Sequence, residues 1–118
     1  CLARGLGDVY KRQVWGDAVL YTLGDITIGA NSVVSQKCYL CTGSHDFMSQ
    51  HFDITASPIV IGEKCWLATD VFVAPGVSVG DGTVVGARSS VFKSLPANTI
   101  CRGNPAVVIR ERVETEKL

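Results

Sequence analysis

The chain repeats itself every six residues. Counting in sixes from Ile28 reaches Val34 and Leu40, and counting from Ile61 reaches Leu67, Val73, Val79, Val85 and Val91, every one aliphatic. The next residue is often small (Gly29, Ser35, Gly62, Ala68, Ala74, Gly80, Gly86). Four places on from each aliphatic but Val91 stand small or medium residues: Ser32, Cys38, Ser44, Cys65, Val71, Val77, Thr83 and Ser89. An amphipathic helix repeats its apolar residues three and four apart, and a half-buried strand repeats them at two. A strict six fits neither alone, and predicts short strands joined by tight corners. Each hexapeptide is then one flat strand and one corner, with the aliphatic residue inside and the small one allowing the turn. Three hexapeptides close a triangular coil, and coils stack at the strand spacing of about 4.8 Å. The expected fold class is therefore all-β, a parallel β-helix solenoid over residues 14–106. Positions three hexapeptides apart lie above one another, which puts Cys65, Thr83 and Cys101 in one expected column.

The beat fails in two places and ends in a third. Between His45 and Thr55 the stretch DFMSQHFDI (46–54) has no aliphatic rhythm and is expected to be a loop thrown out from the coil just after His45. A solenoid needs no such loop for stability, and loops on rigid scaffolds are common sites of binding and catalysis. The first 13 residues, CLARGLGDVYKRQ, carry no repeat and are set aside from the fold. Their pattern suggests a segment introduced by expression or sequence assembly, in which case at least one N-terminal coil is missing. After Leu95-Pro96-Ala97-Asn98 the rhythm ends. Gly103-Asn104-Pro105-Ala106 makes a turn, and the charged tail 107–118 is expected to form a short helix capping the last coil.

Charge and composition narrow the partners. Eleven basic and eleven acidic residues cancel, so no global field draws the chain to nucleic acid or to an anionic membrane. No apolar run approaches the roughly 20 residues of a bilayer span, and no signal-peptide layout is present, which predicts a soluble, cytoplasmic protein without an integral membrane segment. Five cysteines at irregular spacing argue against a paired framework. Cys38 and Cys41 are three apart on an extended strand and point to opposite faces, unsuited to a shared metal. Cys38, Cys65 and Cys101 read as small inward residues, and no metal is expected.

The stretch Ser35-Gln-Lys-Cys-Tyr-Leu-Cys-Thr-Gly-Ser-His-Asp46, the loop, Pro58-Ile-Val-Ile-Gly62 and Trp66-Leu-Ala68 together resemble the hexapeptide-repeat acyltransferases. The nearest likeness is to the sugar and polysaccharide O-acetyltransferases of the colanic acid biosynthesis type. The resemblance implies a left-handed helix, against the usual hand of parallel crossovers. It implies acetyl coenzyme A as acyl donor, a hydroxyl of a sugar or glycan intermediate as acceptor, and a homotrimer with the coenzyme slot between chains. Outward Trp66, Phe72, Tyr39 and Phe92 agree with such packing.

Residue by residue, the resemblance makes His45 the general base; Asp46 is a catalytic candidate by its adjacency to that base, and His51 and Asp53 are weaker loop candidates, the sequence leaving open which acid orients the imidazole. Imidazole suits the work because it takes up and releases a proton near neutral pH. Trp66, within Ile-Gly-x-x-x-Trp, and Thr69 would line the slot for the pantetheine arm. Gly86-Ala87-Arg88-Ser89-Ser90-Val91 resembles the family's Gly-Ala-Gly-Ser-Val-Val run, so Ala87 and Arg88 join the cofactor-binding set, with Arg88 replacing the commoner glycine. Lys93 matches a lysine that approaches the nucleotide phosphates, although its usual neighbours are replaced by Phe92 and Ser94. Among the arginines near the end, Arg110 is the candidate for the 3′-phosphate. Two other readings of the fold stand beside this one. One is a non-catalytic β-helix used for structure or binding. The other is a zinc enzyme of the β-helical carbonic anhydrase type, which needs three histidines where this chain has two, His45 and His51.

Overall fold

The computed structural model describes residues 7–9 and 12–113. Along the chain the strands are β1 (Gly7–Val9), β2 (Arg12–Val14), β3 (Val19–Tyr21), β4 (Ile26–Ile28), β5 (Val33–Val34), β6 (Tyr39–Cys41), β7 (Gly43–His45) and β8 (Ile54–Ala56). They continue as β9 (Ile59–Ile61), β10 (Trp66–Leu67), β11 (Phe72–Val73), β12 (Ser78–Val79), β13 (Val84–Val85), β14 (Ser90–Val91), β15 (Thr99–Gly103) and β16 (Ala106–Glu111).

These strands make the three faces of a left-handed β-helix. The first face runs β2, β5, β10, β13, β15, all parallel, with β1 and β16 added antiparallel at its two ends. The second is β3, β6, β11, β14, and the third is β4, β9, β12, which Leu95 extends by bridging to Val79. Register puts the aliphatic beat in columns: Val34 on Leu67 on Val85, Leu40 on Val73 on Val91, and Ile28 on Ile61 on Val79. All nine of these residues are buried. Each contributes roughly 1.5–3 kcal/mol by leaving water.

The corners explain the small residues, edge by edge. Where the third face turns into the first, a Cβ on Gly29 would lie 2.5 Å from the carbonyl carbon of Gly62 in the next coil, so only glycine fits. At the other two edges the same repeat position tolerates Ala68 and Ala74. Left-handed backbone also gathers at corners: Asn31, Lys64, Gly82 and Asn98 at one edge, Lys37, Asp70 and Arg88 at another. A non-glycine residue there costs roughly 1–2 kcal/mol. The cost is offset by amides donated between coils, as from Lys64 to Ala30 (3.0 Å) and from Arg88 to Thr69 (2.9 Å).

Four expectations change. The beat stops at Leu40, not at His45: Ser44 is exposed because Gly43 already starts a hairpin, and the excursion runs through β7 and β8 from 43 to 56. Cys101 does not stack on Thr83. Leu95 bridges Val79 sixteen places away, whereas Ile61 to Val79, Leu67 to Val85 and Val73 to Val91 each take eighteen, so the last coil is two residues shorter than the one before it. Cys101 therefore pairs with Val85 in the inward aliphatic position, and buried Thr99 comes opposite Thr83. The tail is no helix as far as it is described. Gly103, at φ +111, turns the chain back, and Ala106–Glu111 pairs antiparallel with β15. The β-branched run Val107-Val108-Ile109 and the free edge of β15 both favour a strand; 114–118 lie outside the described residues. At the other end, part of the segment set aside belongs to the fold, since β1 and β2 form a hairpin whose Gln13 and Val14 pair with Val33 and Val34. Residues 1–6, 10 and 11 lie outside the described residues.

Candidate functional site

The excursion leaves the prism at the edge between the second and third faces. Among the described residues its strands β7 and β8 pair only with each other, His45 opposite Ile54. His45 is exposed, and its Nδ1 lies 2.8 Å from the carbonyl oxygen of Phe52. A carbonyl can only accept, so this contact requires the proton on Nδ1, and in the neutral ring the lone pair is then on Nε2. Phe52 presents that oxygen from a left-handed backbone conformation, φ 51, held by the turn around it. The Ser49 hydroxyl donates to the Asp46 carbonyl (2.9 Å) and accepts from the Asp53 amide (2.7 Å), while the Asp46 amide donates to the Asp53 carbonyl (2.8 Å).

Asp46 faces the turn, not the imidazole. Its carboxylate accepts from the Met48 amide at 2.9 Å. His51 and Asp53 are exposed on the same turn. The group that orients His45 is thus a backbone carbonyl, a partner that residue types do not reveal.

A groove of about 450 Å³ lies along another edge, between the first and second faces. Trp66, Ala68 and Thr69 from one coil line it with Ser35 and Gln36 from the coil before and Val84, Val85, Gly86 and Ala87 from the coil after. Three of the sequence candidates, Trp66, Thr69 and Ala87, meet there. The Trp66 indole is half exposed (49%) and donates from Nε1 to the Ser35 hydroxyl at 2.9 Å, which fixes the ring as one wall. Thr69 donates its hydroxyl to the Gln36 carbonyl at 3.0 Å. Ser35 and Gln36 escaped notice as site residues, although the sixfold count puts Ser35 in the corner position of Ala68 and Gly86.

Arg88 stands at the same edge, 3.7 Å from Asp70 with both side chains largely in water, a contact that solvent screens and that leaves the guanidinium free to meet an anion. Lys93 and Arg110 are exposed and are not among the residues lining the groove. Among the described residues no cluster of three or more histidine, cysteine or acidic side chains could hold a metal ion. Cys38, Cys65 and Cys101 are buried, and burial pushes the Cys38 and Cys65 thiols up from their ordinary value. No helix of the described residues is long and apolar enough to cross a membrane.

A left-handed β-helix built on a sixfold repeat is the fold of the hexapeptide-repeat transferases. Residues 58–93 match the family described as Bacterial transferase hexapeptide (six repeats), and the chain belongs to it. Within that family it is 84% identical over 103 residues to a protein of Escherichia coli strain K12 named as a colanic acid biosynthesis acetyltransferase, WcaF, a match covering 87% of this chain and 57% of that one. Among solved structures it is similar to a maltose O-acetyltransferase of Clostridium difficile 630, with TM-score 0.74, 30% identity, and 89% and 61% of the two chains covered. It is also similar to a galactoside acetyltransferase in complex with coenzyme A, with TM-score 0.69, 25% identity, and 86% and 64% covered. The chain spans about half the length of the curated relatives it matches.

Proposed function

We propose that this chain is the β-helical portion of an O-acetyltransferase that moves an acetyl group from coenzyme A to a hydroxyl of a sugar or polysaccharide intermediate. The observation that carries the reading is the contact of His45 Nδ1 with the Phe52 carbonyl, which turns a basic Nε2 outward. The relatives named above for colanic acid biosynthesis, maltose and galactoside support a sugar acceptor.

The groove suits the donor's pantetheine arm. Such an arm alternates apolar methylenes with amides, and the Trp66 indole, Val84 and Ala87 offer apolar walls beside the corner backbone of Gly86. Arg88, Lys93 and Arg110 are the cations for its phosphates, Arg110 for the 3′-phosphate. The bound thioester supplies an activated acetyl group. His45 Nε2 takes the proton of the acceptor hydroxyl as its oxygen attacks the acetyl carbonyl carbon; the C–S bond then breaks, and the proton held on the imidazole passes to the departing sulfur, releasing coenzyme A as the free thiol and leaving the acetyl ester. Asp46 serves by building the turn that carries Phe52.

His45 and the groove lie on different edges of one prism, so a complete site needs the groove of one copy beside the hairpin of another. A homotrimer, the assembly that the resemblance implies, meets this need with three identical interfaces. Turnover of acetyl coenzyme A with sugar acceptors should fall at least about a hundredfold in His45→Ala. Turnover near wild type in that variant would sink the assignment.

A further inference from the structure

We propose that Thr42 is the positioning residue that aims His45, an inference that rests on His45 acting as the base. The hairpin β7–β8 is a two-stranded sheet that pairs with no other strand among the described residues. Such a ribbon has little stability of its own, so its direction must be set where it joins the body. Both of its ends meet at Thr42. The residue before β7 is Thr42, and its carbonyl accepts from the amide of Ser57, the residue after β8, at 2.9 Å.

The side chain then ties this junction to the preceding coil. Thr42 is wholly buried; its hydroxyl donates to the Tyr21 carbonyl (2.5 Å) and accepts from the Gly24 amide (2.8 Å). Its own amide also donates to the Tyr21 carbonyl, at 3.2 Å. One residue thus joins three backbone segments three positions from His45. The side of the junction is closed as well: a Cβ on Gly43 would lie 2.6 Å from the Tyr21 ring, so the first hairpin residue rests against that ring. A hydroxyl that both gives and takes a hydrogen bond explains a threonine here, since valine has the same shape but leaves the Gly24 amide without its acceptor.

Loss of the hydroxyl lets the hairpin swing, and a misplaced base lowers the chemical step more than donor binding. In Thr42→Val, kcat is expected to fall about tenfold or more while KM for acetyl coenzyme A stays within about twofold. Hydrogen exchange at the β7 and β8 amides should quicken while the β10 and β13 amides keep their protection. Thr42→Ser should restore both readings. Should Thr42→Val fail to fold, Thr42→Cys, which keeps a small side chain with only a weak donor, tests the same split. A folded variant with unchanged hairpin exchange, or with faster exchange and full kcat against an inactive His45→Ala, overturns the proposal. An active His45→Ala overturns the catalytic reading instead, and the anchoring is then read from the exchange data alone.

Discussion

Leu67 is packed on the first face between Val34 of one coil and Val85 of the next, with no exposure at all. Leu67→Ala removes that filling from a site whose backbone is pinned above and below, so it should cost about 2–5 kcal/mol, read as a lowered denaturation midpoint at unchanged m. The inward position of Leu67 is legible in sequence because the period alone assigns it. Phe52 is not legible in this way: its contribution to His45 is a carbonyl that every residue owns, offered only because the turn forces φ to 51. The buried thiols make a pH prediction. Burial pushes Cys38 and Cys65 above the ordinary thiol value of 9.0. Below that value both folded and unfolded chains keep these protons, and the contribution to stability is complete. As pH climbs through it, the unfolded thiols ionise first, the unfolded state binds fewer protons, and stability falls. The urea midpoint should therefore decline from about pH 9 upward. The decline should be shallower in Cys38→Ala/Cys65→Ala, and equal slopes in the two proteins would contradict the assignment.

At the scale of elements, the repeat foretold the three faces but could not register insertions and deletions between them. Ile28 stacks on Ile61 across the inserted hairpin, and the coil closing at Leu95 is short by two residues. A fixed count crosses neither. The tail was misread for a related reason: its charges suited an exposed helix, while Val107-Val108-Ile109 had a vacant strand edge to pair with. What holds that last strand in place is a long reach by Arg112. Its amide donates to the Asn98 carbonyl (2.8 Å), and its Nη1 donates to the carbonyls of Lys64 (3.0 Å) and Gly82 (2.9 Å), lacing one corner of three successive coils. Arg112→Ala should cost about 1.5 kcal/mol, the lower end for hydrogen bonds from a charged group. The loss should be local, with faster hydrogen exchange in β16 and unchanged protection in β10.

For the whole molecule, the two parts of the proposed site are carried on separate edges of the prism, with the second face between them. That face bears a ladder of rings, its middle member Phe72 partly buried against the core: Tyr39 and Phe72 stand 6.0 Å apart and Phe72 and Phe92 5.9 Å apart, with Tyr39 and Phe92 39% and 57% exposed. Aromatic area of this kind in water is costly for a lone chain and gains most by pairing with another surface. Sequence suggested outward rings at these positions, but only the assignment of strands to faces reveals that they separate the hairpin from the groove. If copies associate through the ladder, activity depends on assembly and not on the fold of each chain alone. Tyr39→Glu/Phe92→Glu places charge where two apolar surfaces would meet, on the two rings that stand in water, so the protein should remain folded but become monomeric by light scattering. Turnover should then fall at least about tenfold, because each chain keeps its base and groove but loses the geometry that joins them. Diluting the wild type should trace the same loss, with turnover following the associated fraction. Full turnover in a monomeric variant would mean that one chain completes the site alone, and the separation of hairpin and groove would then need a different explanation.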